Sequence, residues 1–235
     1  SMTDAYDFGF LRKWDKFTFS SSVYVNRTTD VFLFVRLESG EFVNGIPVII
    51  TTPINVAEEV RTGFEFNLNF SPYKWWKLNT NFNFFNSITD GDYTYTDFNN
   101  KVVIQNFDNN ASNWTARINS KITLPGKIDW QTNMNYFGDQ KTAQGKFLGI
   151  FSMNLGFSKD VLKDKASVAF NVSDVFNTRL MRMETLIPGV IDSYSERQRN
   201  QRQFTLSFTY RLNKSKNERE KQPRREMEEG GDMPG

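Results

Sequence analysis

Apolar and polar residues alternate along most of the chain. Phe64, Phe66, Leu68 and Phe70 fall on one side, and Glu65, Asn67 and Asn69 on the other. After a short turn the pattern resumes, with Leu78, Thr80, Phe82 and Phe84 against Asn79, Asn81 and Asn83. A period of two over this length predicts β-strand, because successive side chains of a strand point to opposite faces. The same alternation predicts strands over residues 17–25 (extended or bent through 31–35), 114–124, 128–136, 147–157, 166–173 and 204–212, with the tail of a strand at 5–11. Short turns fall near residues 13, 73, 125 and 162, and longer connections near 45, 100, 141 and 188. Asn44-Gly45, Pro47 and Pro53 mark a long excursion to about Val56. Residues 86–113 read as a loop with one short strand extension at 102–104, and a loop of about 20 residues containing Pro188-Gly189 precedes the last strand. The sum is an all-β, antiparallel chain of about eight strands plus one partial N-terminal strand. Residues 1–212 form the strand-bearing region. Residues 213–235, charged in both signs and without an apolar face, predict a disordered tail.

Composition narrows the strand reading. Of 235 residues, 15% are aromatic and 23 are Phe, yet only 38% are hydrophobic and the mean hydropathy is −0.55. A transmembrane β-barrel wall reconciles these values, since it needs one apolar face while the other meets a polar lumen. The apolar faces run about nine to eleven residues, the span of a tilted strand across a bilayer. The polar faces carry Asn, Ser, Thr and Gln with few Lys or Glu, whereas a face in bulk water normally carries more charge. Trp14, Tyr73, Trp75, Trp76 and Trp130 stand near strand ends. There an amphipathic ring suits a membrane interface, and outer-membrane lipid is the expected partner. Two alternatives share the alternation: a soluble β-sandwich binding glycans on exposed Trp, and a small stand-alone barrel with a structural or adhesive role.

Charge and rare residues exclude several functions. A net charge of +2 gives no pull toward nucleic acid. Cysteine and histidine are both absent, which removes disulfides, thiolate metal sites, histidine acid–base chemistry and nearly all zinc chemistry. No residue set supports catalysis, and no cofactor is expected. No apolar run approaches the roughly 20 residues of a transmembrane helix.

Candidate residues follow from the faces. Asn67, Asn69, Asn79, Asn81, Asn83, Arg117, Asn119, Asn133 and Asn135 fall on polar faces and would line a lumen. There they contact a substrate or a plug, or bond to water and to each other. Asp90, Asp92, Asp97 and Asp108 could offer carboxylates to calcium, although the spacing is not that of an EF-hand loop and acidic turns are common. Arg197, Arg199 and Arg202 could meet lipopolysaccharide phosphates or another anion. Their interleaving with Gln198, Asn200 and Gln201 equally describes a solvated strand end. Asp174 reads as a structural residue at a strand end.

Several motifs, taken in order, resemble the C-terminal part of the outer-membrane β-barrel family of Bacteroidota, within the TonB-dependent receptor superfamily. They are Gly63-Phe64-Glu65-Phe66-Asn67-Leu68, Tyr73-Lys74-Trp75-Trp76-Lys77-Leu78, Leu155-Gly156-Phe157-Ser158-Lys159-Asp160-Val161-Leu162 and Asn171-Val172-Ser173-Asp174-Val175-Phe176-Asn177-Thr178. The closing strand at 204–212 also fits, so the resemblance covers about residues 60–212. It implies a fragment of a 22-stranded barrel in the outer membrane, taking up nutrients. The implied partners are a plug domain and N-terminal barrel strands of the same receptor, both outside this sequence, with TonB reached only through the plug.

Overall fold

The structure, a computed structural model, describes residues 1–212, so the tail predicted at 213–235 lies outside the described residues. Every regular element among the described residues is a β-strand. In chain order these are β1 (Met2–Lys13), β2 (Phe17–Val43), β3 (Ile46–Tyr73), β4 (Trp76–Asp90), β5 (Asp92–Thr96), β6 (Val102–Asn106), β7 (Asn109–Leu124) and β8 (Ile128–Phe137). They continue with β9 (Gln140–Thr142), β10 (Gly145–Phe147), β11 (Ile150–Val161), β12 (Ala166–Ser173), β13 (Met181–Ile187), β14 (Ile191–Arg197) and β15 (Gln203–Tyr210).

Nine strands form one sheet in the order β1-β2-β3-β4-β7-β8-β11-β12-β15. Every neighbouring pair in it is antiparallel. The sheet is open: β1 pairs only with β2, and β15 only with β12. The short turns sit between β1 and β2, β3 and β4, β7 and β8, and β11 and β12, as the sequence pattern requires. The opposite end of the sheet carries two further sheets, one of β14-β13-β10-β9 and one of β5-β6.

That opposite end is where the expected loops prove to be strand. The excursion after residue 35 is a paired ladder that runs up to Val43↔Ile46, where Asn44 (φ 51°) and Gly45 (φ 78°) make a two-residue turn. Bulges near Asp30, and between Glu38 and Phe42, break the alternation and hid this continuity. Pro47 and Pro53 are compatible with it because β4 pairs with β3 only from Glu58 onward, leaving the other edge of β3 open at both prolines. Within the predicted 86–113 loop, β4 continues to Asp90, β7 starts at Asn109, and β5 and β6 form a hairpin between them. The connections near 141 and 188 contain β9, β10, β13 and β14.

The distribution of buried residues separates the two ends. Val35, Leu37, Ile54 and Phe107 form a buried apolar cluster, with Leu33, Tyr93 and Tyr95 packed against it. All of these belong to the extended β2–β3 hairpin and the β5–β6 region, so the small domain beyond the sheet has a core. The nine-stranded wall has no such cluster on its apolar face. Phe64 (40% exposed), Phe84 (43%) and Trp114 (40%) stand open there instead. A face of this kind is stable only against an apolar medium.

Candidate functional site

The polar face of the wall is built by register. Asn69, Asn79, Asn119 and Asn133 are successive cross-strand partners on β3, β4, β7 and β8, and Asn133 continues to Asn154 on β11. The adjacent row reads Asn67, Asn81, Arg117, Asn135 and Ser152. Opposite residues of an antiparallel pair bring their Cβ atoms within about 5 Å, close enough for short amides to bond.

They do. Asn79 Nδ2 donates to Asn69 Oδ1 at 2.7 Å, and Asn81 Nδ2 to Asn67 Oδ1 at 2.8 Å. Asn119 donates to Asn79, Asn133 to Asn119, Asn135 to Asn133, and Asn154 to Asn133. Arg117 Nε donates to Asn135 Oδ1 at 2.9 Å. Asn83 accepts from the Tyr24 hydroxyl at 3.0 Å. Asn69, Asn79, Asn119, Asn133, Asn135, Arg117 and Asn154 thus form one ladder across five strands, while Asn67 with Asn81, and Asn83 with Tyr24, make separate pairs on the same face. Asn154 extends the ladder beyond that prediction; its position between Met153 and Leu155 in the alternation was the available signal.

Toward the short-turn end the same face becomes charged. Lys121 pairs with Asp129 at 3.3 Å and Arg211 with Asp160 at 3.1 Å, around a cavity of about 530 Å³.

The apolar face carries two aromatic bands. At the short turns, Tyr73 stacks on Trp75 (5.1 Å), Trp14 lies against Phe17 (4.7 Å), and Trp76 and Trp130 flank Ile122 in one row. All five predicted interface aromatics lie at this end. The Trp76 indole donates to Ser120 Oγ at 3.1 Å. The Trp130 N–H is covered and has no partner among the described residues, so this ring lacks the wet edge expected of an interface residue. The second band, near the long connections, contains Trp114 stacked on Tyr136 at 4.2 Å, together with Phe84 and Phe151. Trp76 and Phe84 stand eight positions apart on β4, about 26 Å of strand. At a strand tilt of about 40° that is about 20 Å along the membrane normal, within an outer-membrane apolar band of about 25 Å.

The remaining candidates resolve individually. Asp97 Oδ1 accepts from the N–H groups of Asn99 and Lys101, and Asp108 Oδ1 from that of Gly91. Asp92 accepts from the Asn106 amide. No group of three or more metal-ligating side chains lies together among the described residues, so the calcium expectation has no geometric basis there. Arg197 ends β14, whereas Arg202 packs its guanidinium 5.7 Å from the Phe204 ring. Asp174 is buried (3% exposed), with its oxygens accepting from the N–H groups of Thr178 and Arg179 at 3.0 Å each. Its role is to fold the end of β12 back on itself. Above the wall, Lys146 pairs with Asp139 at 2.7 Å, and this bond and the Gly149 N–H lower the Asp139 pKa.

An antiparallel wall with a hydrogen-bonded polar face, an exposed apolar face and aromatic bands at both rims defines a transmembrane β-barrel protein. Residues 1–210 match the model of the outer membrane protein beta-barrel family, and the chain belongs to that family. It is a protein of the outer membrane. No curated protein and no solved structure matches it.

Proposed function

We propose that this chain is the C-terminal part of the barrel of a TonB-dependent outer-membrane receptor of Bacteroidota type, a wall through which a nutrient is taken up. The observation that carries the reading is the strand count together with the open edges. Nine successive antiparallel strands leave β1 and β15 running in the same direction. Direct closure between them would be a parallel pair, foreign to barrels whose strands are all antiparallel. Two copies in one membrane meet with the same mismatch. Closure therefore requires an odd number of further strands between β15 and β1, which makes the complete barrel larger than this wall.

The amide ladder supports a wide lumen. A barrel of about eight strands is just filled by its own side chains, whereas Asn69, Asn79 and Arg117 stay exposed on this face. On this reading the ladder faces a plug domain of the same receptor, which connects it to TonB, and the small domain beyond the wall collects ligand outside the cell. The wall carries out no catalysis.

Heat-modifiable gel migration of the 235-residue chain in detergent tests the proposal. The expected result is no compact, heat-sensitive species from this chain alone. A compact heat-sensitive monomer or dimer would mean that the chain closes its own barrel, and the receptor reading would fall.

A further inference from the structure

We propose that the outer corner of the wall, where β11 begins and β12 ends, binds the phosphorylated headgroup of a lipid A molecule in the outer leaflet. A cavity of about 410 Å³ opens there, lined among others by Tyr136, Asp139, Leu148, Phe151 and Arg182. Tyr136 and Phe151 are cross-strand partners on the apolar face, so the cavity lies on the lipid side of the wall and at the loop end. Phe151 packs on Phe176 at 5.9 Å, and Phe176 is 56% exposed. These rings form an apolar floor for an acyl chain.

The Arg182 guanidinium lines the cavity, and that of Arg202 is held at Val175, next to Phe176 in the chain. Arg182 donates through Nη2 to the Gly149 carbonyl at 2.7 Å, while its Nε is covered and has no partner among the described residues. Arg202 donates through Nη1 to the Val175 carbonyl at 3.1 Å, beside the Phe204 ring. Both guanidiniums are thus held by backbone carbonyls, which leaves their charge uncompensated by those bonds.

The nearby carboxylates have bonds of their own, and Asp139, on the cavity wall, also feels the charge of Arg182. Asp139 holds Lys146 and the Gly149 N–H, and Asp174 holds the N–H groups of Thr178 and Arg179. Glu196, opposite Arg182 in register, accepts from the Tyr194 hydroxyl at 3.1 Å. Guanidinium groups at the rim of an aromatic floor match a phosphate attached to acyl chains, since Arg presents several N–H donors to a phosphate at once. At the loop end of an outer-membrane wall, that lipid is lipid A.

Native mass spectrometry of the protein extracted from outer membranes in mild detergent tests this, with added lipid A and dephosphorylated lipid A as probes. The wild-type protein should retain lipid A at least tenfold more than its dephosphorylated form. The Arg182→Gln/Arg202→Gln variant should lose that preference, while Arg117→Gln, on the polar face, should keep it. Equal retention of the two lipids by wild-type protein would overturn the proposal without depending on the variant's folding. Undiminished preference in the double variant would overturn it as well.

Discussion

Tyr24 lies flat across Gly63. A Cβ built on Gly63 would fall 2.2 Å from the Tyr24 ring, while the hydroxyl reaches on to Asn83 at 3.0 Å. The glycine is extended strand, so only the ring requires it to be glycine. Gly63→Ala should cost about 1–3 kcal/mol, the usual penalty for overpacking. Tyr24→Phe should cost about 1 kcal/mol, the worth of one hydrogen bond. Adding Tyr24→Ser to Gly63→Ala should recover part of the first loss, because the crowding partner is gone. Urea unfolding of the complete barrel in detergent micelles gives all three values, and equal costs for the single and double changes would refute the overlap.

Asp174→Ala should cost about 1–3 kcal/mol, because two backbone N–H groups lose a buried acceptor. Amide exchange at Thr178 and Arg179 should quicken. Asp139 supplies a pH dependence. Its folded-state pKa is lowered, so its pairing with Lys146 contributes fully above the ordinary carboxylate pKa of about 4 and is lost as pH falls through the lowered value. Exchange of the Gly149 amide, which donates to Asp139, should therefore rise only in that acid range, and Asp139→Asn should abolish the pH step.

The nine polar-face residues were legible one at a time, since alternation alone assigns a face. What the sequence did not show was register, so nothing revealed that Asn79 stands between Asn69 and Asn119 rather than one step away.

At the scale of the strand, the apolar face responds to polarity rather than to shape. Phe82→Lys should reduce the fraction assembled in the outer membrane, by less than the ~2–4 kcal/mol of a cation at the bilayer midplane, because Phe82 lies between the midplane and the Phe84 band. Asn81→Lys, one position along and on the opposite face, should assemble nearly as wild type. Protease protection in isolated outer membranes distinguishes them, and similar losses for both would mean that the two faces have been exchanged. The regular strands were readable because a nine- to eleven-residue alternation is a strong signal. β13 and β14 were not. Their segment mixes Arg182, Glu184, Asp192 and Glu196 with apolar residues at no steady period, and its pairing is decided by long-range contact. The long β2 and β3 were missed for another reason: each bulge moves the apolar set to the other face, which breaks the period while the ladder continues.

In the whole molecule, two of the segments above the wall are clasped together at Arg36 and Gln144. The Gln144 side-chain amide accepts from the Arg36 N–H at 2.9 Å and donates to the Arg36 carbonyl at 2.7 Å, while Arg36 Nη1 reaches Thr185 at 3.0 Å. This clasp joins the β2–β3 hairpin to segments inserted between wall strands well along the sheet. Gln144→Ala should loosen β10 and β13, raising their amide exchange while β3, β4, β7 and β8 stay protected.

The buried cluster of Val35, Leu37, Ile54 and Phe107 has a consequence for how this chain can change over generations. Those four positions fit against one another, so a substitution there is judged by volume, and a lost methyl group leaves a void. Phe66, Leu68 and Phe82, between the two aromatic bands, face a liquid that moulds itself to any outline, so a substitution there is judged only by whether it is oily. Inherited variation should therefore trade Phe, Leu, Val and Ile freely along the wall, while keeping size and branching nearly fixed within the small domain that the wall holds up into water.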